Sequence, residues 1–260
     1  MSADLELQDR LRRYYTTYYR DVLGIPDWPV LVDLRGQEER AESARLERLR
    51  RLIGDGPLHG RILNVGCGTG GFTIVAAETA ALSVGIDADP NAVDICALKH
   101  LDAGRGRFVR TAAEALPFAE GTFDLVYCFS AIEHVDSVEA SVREMVRVTR
   151  PGGVVYVHTP NAWSWYEGHY KLLWAPFLPR TLGRLYLRLR GRPTAYLATL
   201  RRLTPAGLRR AFRAAGVMAL AFHGGDDRPR ESVGPFRGVL GLYYRLSGVS
   251  PFIEIVARKP

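Results

Sequence analysis

Short apolar runs alternate with helical patterns through the middle of this chain. Runs such as Ile62–Val65, Leu82–Ile86 and Thr122–Phe129 contain few polar residues, which is typical of parallel strands that are buried on both faces. Between the runs, Asn91–Leu101 and Val138–Val148 have apolar residues three and four positions apart, which predicts helices. Two shorter strands are predicted at 107–109 and 153–158. This alternation predicts an α/β domain with a mostly parallel sheet.

Further elements are predicted on both sides of this core. Asp4–Val22 and Glu38–Ile53 have amphipathic helical patterns. Near the other end, a Thr-Pro pair at 204–205 is a typical helix start, with threonine as the cap and proline in the first turn. Two last strands are predicted over Val217–Phe222 and Phe252–Ala257.

The net charge of +7 comes from one segment. Residues 162–203 contain eight lysines and arginines but a single acidic residue, while the rest of the chain is balanced. The first part of the segment is rich in aromatic residues, and Arg180–Arg190 predicts a helix with Arg180, Arg184 and Arg188 on one face. We therefore predict a basic, aromatic insertion that caps the domain.

The cysteines and the start of the chain give expectations about compartment. The three cysteines form no CxxC pair and no His/Cys cluster, and their odd number favours a reducing environment. The first residues are charged, without the apolar stretch of a secretory signal. We expect a cytoplasmic protein, with peripheral contact at the inner membrane surface through the basic insertion as an alternative. The abundance of Arg, Ala and Gly suggests a bacterial source.

A glycine cluster lies between the first predicted strand and the helix after it. Gly66, Gly68, Gly70 and Gly71 can be read as G-x-G-x-G or as the dinucleotide pattern G-x-G-x-x-G. Glycine permits positive φ and lets a ligand approach the backbone closely. The next apolar run ends in Asp87, about twenty residues on, where a carboxylate can accept hydrogen bonds from ribose hydroxyls. The pattern predicts an adenosine-type ligand.

Three further motifs follow in a fixed order, namely Ala113–Phe118, Phe123–Val135 and Arg150–Val157. In this order and spacing the chain resembles the class I S-adenosylmethionine-dependent methyltransferases. It is most similar to the branch with ubiquinone, menaquinone, natural-product and glycan methyltransferases. The resemblance covers residues 60–160 well and the end of the chain loosely. It implies a Rossmann-like sheet of seven mostly parallel strands in the order 3-2-1-4-5-7-6, with helices on both faces.

The resemblance also implies how the chain is organised. Residues 1–58 would form helices over the cofactor pocket, and residues 59–161 the cofactor-binding core. Residues 162–203 would be the cap insertion. Residues 204–260 would add a helix and the closing strands of the same domain.

S-adenosylmethionine is the implied cofactor, with S-adenosylhomocysteine as its product. The resemblance places the glycine loop against the methionine and ribose portions, Asp87 at the ribose, and residues 113–114 beside the adenine. The cofactor-binding residues expected in this way are Asn64, Gly66, Gly68, Gly70, Asp87, Ala88, Ala113, Glu114 and Phe129. Two positions depart from the family pattern, because Asn64 and Ala112 stand where family members often have acids.

Two polar residues beyond the strand ends are candidates for the chemistry. His134 follows the fourth strand and could act as a general base, or it could shape the pocket while Glu133 orients it. Asn161 lies just past the fifth strand and is expected to face substrate. Further substrate contacts are predicted at Tyr15, Tyr166 and His169. No metal site is predicted, because Glu133 and His134 lack a third ligand in the sequence.

The leading hypothesis is O-methylation of a hydroxyl on a small aromatic, lipidic or glycosyl acceptor, with N- or C-methylation also open. Alternatives are an NAD-dependent oxidoreductase that uses the same glycines, a non-catalytic cofactor-binding module, and an RNA methyltransferase. Nucleic acid is disfavoured, because the sequence has no separate RNA-binding domain and no Asn/Asp-Pro-Pro-aromatic tetrad. Oligomeric state is left open.

Overall fold

A seven-stranded sheet forms the centre of the computed structural model, which describes residues 3–103, 105–224 and 237–260. The strands are β1 (Arg61–Val65), β2 (Leu82–Asp87), β3 (Arg107–Arg110), β4 (Phe123–Phe129), β5 (Thr149–Pro160), β6 (Tyr166–Glu167), β7 (Leu172–Leu173), β8 (Ala219–Gly224) and β9 (Phe252–Arg258). The main sheet has the order β3-β2-β1-β4-β5-β9-β8, and β6 and β7 form a separate hairpin.

The predicted topology is confirmed. Counted within the main sheet alone, β8 and β9 are its sixth and seventh strands, which gives the expected order 3-2-1-4-5-7-6. The first five strands pair in parallel, whereas β9 is antiparallel to both β5 and β8. The carboxyl ends of β1, β2 and β4 therefore meet at one edge of the sheet, where open α/β folds bind their ligands.

Helices cover both faces of this sheet. They are α1 (Ala3–Thr16), which continues as a π-helix (Thr17–Val22), α2 (Trp28–Arg35), α3 (Glu38–Ile53), α4 (Gly56–His59), α5 (Gly71–Ala76), α6 (Pro90–Ala103), α7 (Val138–Val148), α8 (Arg180–Leu189), α9 (Pro205–Ala214) and α10 (Arg237–Ser247). The predicted bounds of α3 and α7 are confirmed. The Thr204 side chain caps α9 by accepting from the backbone N–H of Gly207, as its Thr-Pro pair predicts. The sequence analysis did not identify α2, α4 or α10.

Two apolar layers hold the helices against the sheet. On one face, Leu49 of α3 and Phe72 of α5 pack with residues of β1 and β4. On the other, Met145 of α7 and Phe212 of α9 pack with further residues of β4 and β5. The middle strands are thus buried on both sides, which explains why their sequences are apolar throughout. The three cysteines are buried and free.

The insertion after β5 contains the predicted helix and an unpredicted hairpin. The β6–β7 hairpin packs its Leu172 into the apolar cluster that also contains Leu187 of α8. Only Gly183 and Leu187 of α8 are buried. Its other leucines, Leu182, Leu185 and Leu189, face outward with 51%, 52% and 77% exposure. Throughout the described part of the chain, every helix is too short or too polar to span a bilayer.

Candidate functional site

The loop from β1 to α5 is shaped by glycines with positive φ. Gly66 has a φ of 70°, and a Cβ at this position would overlap the Cβ of Ala131 in the loop that follows β4. Gly68 has a φ of 53°, but its Cβ would meet no atom within 4 Å. Gly66 therefore lets two loops pack together, whereas Gly68 presents bare backbone to open space. Such an open backbone surface suits the close approach of a ligand.

Asp87 lies at the end of β2, beside this loop. Its Oδ2 accepts from the N–H of Gly68 at 2.8 Å, and its Oδ1 accepts from the N–H of Asp89 at 2.9 Å. Burial raises the pKa of Asp87, against the lowering effect of these N–H groups. The carboxylate is thus fixed next to the open face of Gly68, and it can accept further hydrogen bonds from a diol. Ala88, which follows it, is exposed.

The predicted adenine-flanking residues lie beyond β3. The N–H of Thr111 donates to the carbonyl of Asp87 at 3.0 Å, which brings this segment to the side of the glycine loop where Asp87 lies. The Glu114 carboxylate, however, accepts from the N–H groups of Asp136 and Ser137 at the start of α7. Because this side chain fixes the helix start, the backbone of Ala113 and Glu114 is the part available to an adenine ring. Ala112 offers no side-chain acceptor.

Asn64 and Phe129 have side chains that the fold itself uses. The Asn64 amide donates to the Thr73 hydroxyl at 3.1 Å and is buried between β1 and α5. The Phe129 ring stacks on the His158 ring with their centroids 4.1 Å apart, and the Arg45 guanidinium carbon lies 4.3 Å from the centroid of Phe129. These contacts leave the backbone at the strand ends to face a ligand. Beyond Phe129, Ser130 has a φ of 50°, a strained value of the kind that accumulates at functional sites.

A buried polar cluster packs against the glycine loop, and Tyr15 is the one member of it that was predicted from the sequence as a site residue. The Tyr15 hydroxyl lies 2.7 Å from that of Thr69 in the loop, and both hydroxyls donate to the Glu38 carboxylate. The Lys99 ammonium pairs with the same carboxylate. Burial lowers the pKa of Lys99 to about 7. Tyr15, predicted to contact substrate, is therefore placed against the cofactor loop.

The second polar cluster contains Glu133, His134 and His169. Glu133 and His134 form a short 3-10 helix after β4, and the β6–β7 hairpin brings His169 against them. The Oε1 atom of Glu133 lies 3.6 Å from Nε2 of His169 and 4.0 Å from Nε2 of His134. His134, predicted as a general base, and His169, predicted as a substrate contact, thus lie in the same cluster.

Burial and charge act differently on the two histidines. Burial lowers the pKa of His134, and the raising effect of Glu133 does not compensate for it. Burial also lowers the pKa of His169, but its bonds to Glu133 and Glu167 outweigh this and raise the pKa to about 10. The side chain of His134 is 30% exposed, whereas that of Glu133 is 2% exposed. The cluster is therefore open on the side of His134.

A cavity of about 80 Å³ adjoins this cluster. Its wall includes Glu133, His169 and Tyr166, together with the arginines at 180, 201 and 202. Each guanidinium donates to one backbone carbonyl, those of Leu200, Val135 and Leu178 respectively, and has further donors. These three arginines all belong to the basic insertion at 162–203. Within the described residues, the lining contains Arg180 but neither Arg184 nor Arg188, which are exposed on α8.

Asn161 also lines this cavity, but its amide has structural partners. Its Nδ2 donates to the carbonyl of Ser250 at 2.9 Å, and its Oδ1 accepts from the N–H of Trp163 at 3.1 Å. Asn161 therefore fixes the start of the insertion. The predicted catalytic role is not supported by this arrangement, because both ends of the amide are already bonded.

Comparison with known proteins identifies the middle of the chain. Residues 63–157 match a family described as a methyltransferase domain. An uncharacterised methyltransferase from Synechocystis is 32% identical over 146 residues, covering 54% of this chain and 61% of that protein. A ubiquinone biosynthesis O-methyltransferase from Bordetella avium is 34% identical over 124 residues, and the match covers 45% of this chain and 49% of that protein. The matched regions span about three-fifths of these relatives or less.

Solved structures share the fold over more of the chain. A magnesium protoporphyrin IX methyltransferase from Synechocystis, solved with bound S-adenosylhomocysteine, aligns over the whole of both chains with a TM-score of 0.55 and 15% identity. A [4+2]-cyclase aligns with a TM-score of 0.53 and 22% identity, covering 82% of this chain and 80% of its own. At these identities the likeness establishes the fold, and the fold supports more than one reaction.

Proposed function

We propose that this chain, whose residues 63–157 match a methyltransferase domain, is a class I S-adenosylmethionine-dependent methyltransferase and methylates a small acceptor that carries a hydroxyl and an anionic group. The observation that carries the proposal is the position of Asp87 beside the bare backbone of Gly68. The carboxylate can accept from both ribose hydroxyls, and among the described residues no atom lies within 4 Å of a Cβ placed at Gly68.

The residues around the loop fit S-adenosylmethionine. Asp87 would hold the ribose, the backbone at Ala113 and Glu114 would flank the adenine, and the backbone of Gly66 and Gly68 would face the methionine portion. Tyr15, Thr69 and Glu38 fix the loop from behind. When bound, this cofactor supplies an activated methyl group on a sulfonium centre. The protein has to align the acceptor with that group and remove the acceptor's proton.

The cavity next to Glu133 and His169 suits the reacting end of an acceptor. Arg180, Arg201 and Arg202 would attract a carboxylate or phosphate on the acceptor, since guanidinium groups bind such anions in bidentate fashion. The acceptor hydroxyl would meet the cluster formed by Glu133, His134 and His169, and its proton would pass to that cluster.

The alternatives are less well supported. The domain match and the antiparallel β9 between β5 and β8 favour a methyltransferase over an NAD-dependent oxidoreductase. A polar cluster beside a cavity favours turnover over simple cofactor binding. No specific feature of the described residues favours RNA.

A methyl-transfer assay tests the proposed function. We expect labelled methyl groups to pass from S-adenosylmethionine to phenols that carry a carboxylate, about 10-fold faster than to their uncharged amides, as expected for one lost charge-assisted contact. Exchange of Arg201 for Ala should reduce this preference, whereas exchange of exposed Arg210 should not. Equal rates for charged and uncharged acceptors would contradict the acceptor class.

We also propose that the outward face of α8 contacts an anionic lipid surface. Leu182, Leu185 and Leu189 are exposed on this face, and Arg184 and Arg188 flank them. Apolar residues that point away from the protein, next to arginines, are typical of helices that lie in the interface of a charged bilayer. The arginines supply the charge complementarity, at about 1 kcal/mol each near such a surface.

Vesicle sedimentation measures this contact. We expect the protein to sediment with phosphatidylglycerol vesicles but not with phosphatidylcholine vesicles. The double exchange Arg184→Glu and Arg188→Glu should weaken binding by roughly 30-fold or more, because it removes about 2 kcal/mol of attraction and adds repulsion. The matched exchange Arg210→Glu and Arg213→Glu on α9 should have little effect. If both double variants lost binding equally, the attraction would be a property of net charge and not of α8.

A further inference from the structure

Glu133, His134 and His169 have the geometry of a metal site. Each offers one ligand atom, and these three atoms lie within 4.8 Å of one another. A tetrahedral ion with bonds of about 2.0–2.1 Å needs its ligand atoms about 3.3 Å apart. The observed separations of 3.6 Å and 4.0 Å from Oε1 of Glu133 require only small side-chain rotations.

The two oxygens of the Glu133 carboxylate have different surroundings. Its Oε2 accepts from the Thr159 hydroxyl at 2.8 Å. Its Oε1 is buried and accepts no hydrogen bond of normal length among the residues that the structure describes, and its charged neighbour is Nε2 of His169 at 3.6 Å. An ion between this oxygen and the two imidazoles would replace these long contacts with short bonds.

His169 is oriented as metal-binding histidines are. Its Nδ1 lies 2.8 Å from the Glu167 carboxylate, and the other oxygen of Glu167 accepts from the N–H of Tyr170. A carboxylate on the far nitrogen holds the ring in place and directs the other nitrogen to the ion. The Nε2 atom of His169 points in this way to Glu133. The Nε2 atom of His134 makes two long contacts, 3.4 Å to the Tyr196 hydroxyl and 4.0 Å to Oε1 of Glu133.

We propose that Glu133, His134 and His169 bind one divalent transition-metal ion, such as Zn²⁺, at the wall of the acceptor cavity. Two imidazoles and one carboxylate form the donor set of catalytic zinc and non-haem iron sites, which keep open positions. Glu133 and His169 line the cavity, so an open position would face the acceptor. The role assigned to the ion rests on the proposed function: it would bind the acceptor oxygen and lower the pKa of its hydroxyl. Because the three side chains would then be ligands, the released proton would pass to solvent water instead of to the cluster.

Metal binding by the whole protein tests this directly. After dialysis against EDTA, titration with Zn²⁺ should show one site per chain, and Co²⁺ should give the visible absorption of a low-coordinate site. His134→Gln should weaken Zn²⁺ binding by more than about 10-fold, since loss of even an outer-sphere partner costs that much. Glu133→Gln should do the same. Exposed His59→Gln should leave binding unchanged.

The same samples separate the two proposals. Calorimetry with S-adenosylmethionine reports on the cofactor site, which does not include the three ligands. Intact cofactor binding without stoichiometric Zn²⁺ would overturn the metal site alone, and His169 would then be a cation that links two carboxylates. Zn²⁺ binding that survives in folded His134→Gln and Glu133→Gln proteins would overturn it as well. If the wild-type protein did not bind S-adenosylmethionine, that result would count against the proposed function.

Discussion

Replacing Asp87 with alanine is expected to weaken S-adenosylmethionine binding by at least about 100-fold. Hydrogen bonds to a charged group contribute roughly 1.5–3 kcal/mol each, and the carboxylate is positioned to accept two from the ribose. It also accepts from the N–H of Gly68, so its loss loosens the loop that faces the ligand. Calorimetric titration of the wild-type and variant proteins measures the change.

Two further variants sharpen this result. Asp87→Asn keeps the size of the side chain but loses its charge, and we expect an intermediate loss of about 10-fold. Asp33→Ala removes a carboxylate that is 67% exposed on α2, and it should bind like the wild type. If folded Asp87→Ala bound the cofactor within about threefold of the wild type, the assignment of the ribose site would be wrong.

Alanine at Gly66 is expected to lower stability more than alanine at Gly68, whereas alanine at Gly68 is expected to weaken cofactor binding more. At Gly66 the left-handed backbone costs about 1–2 kcal/mol, and the overlap with Ala131 adds roughly 1–3 kcal/mol. Thermal unfolding should then occur about 5–15 °C lower. At Gly68 the backbone cost is similar but no overlap occurs, so the midpoint should fall by only about 2–6 °C.

Ligand binding should show the reverse order. The new methyl group at Gly68 projects into the space that a cofactor would use, and we expect affinity to fall by roughly 10-fold or more in a protein that is still folded. Gly216→Ala is the control, because Gly216 also has positive φ and open surroundings but lies in the turn after α9. Cofactor affinity unchanged in Gly68→Ala would place the ligand elsewhere.

The sheet could be predicted from local patterns in the sequence. Each central strand is a short apolar run next to a turn, and the glycine cluster marks the first of these turns. The helix α8 was likewise visible in the spacing of its arginines. Such elements are specified by residues close together in the chain, so periodicity identifies them without knowledge of the tertiary structure.

The candidate site depends on contacts between distant residues. His169 reaches Glu133 because two-residue strands form a hairpin, and strands so short leave no periodic signal. Tyr15, Glu38 and Lys99 come from three separate helices and meet only behind the glycine loop. For the same reason the sequence did not show that His169 lies beside Glu133 and His134, or that Tyr15 contacts Thr69 of the glycine loop.

The position of β9 has a consequence for synthesis of the chain. β9 lies between β5 and β8, and it pairs with residues about a hundred positions earlier. During synthesis on the ribosome, the edge of β5 that pairs with β9 therefore stays unpaired until residues 252–258 emerge. Until then β8 also lacks the strand with which it pairs. Long-range pairing of this kind delays completion of the native state. The nascent chain would consequently be most prone to association just before β9 leaves the exit tunnel.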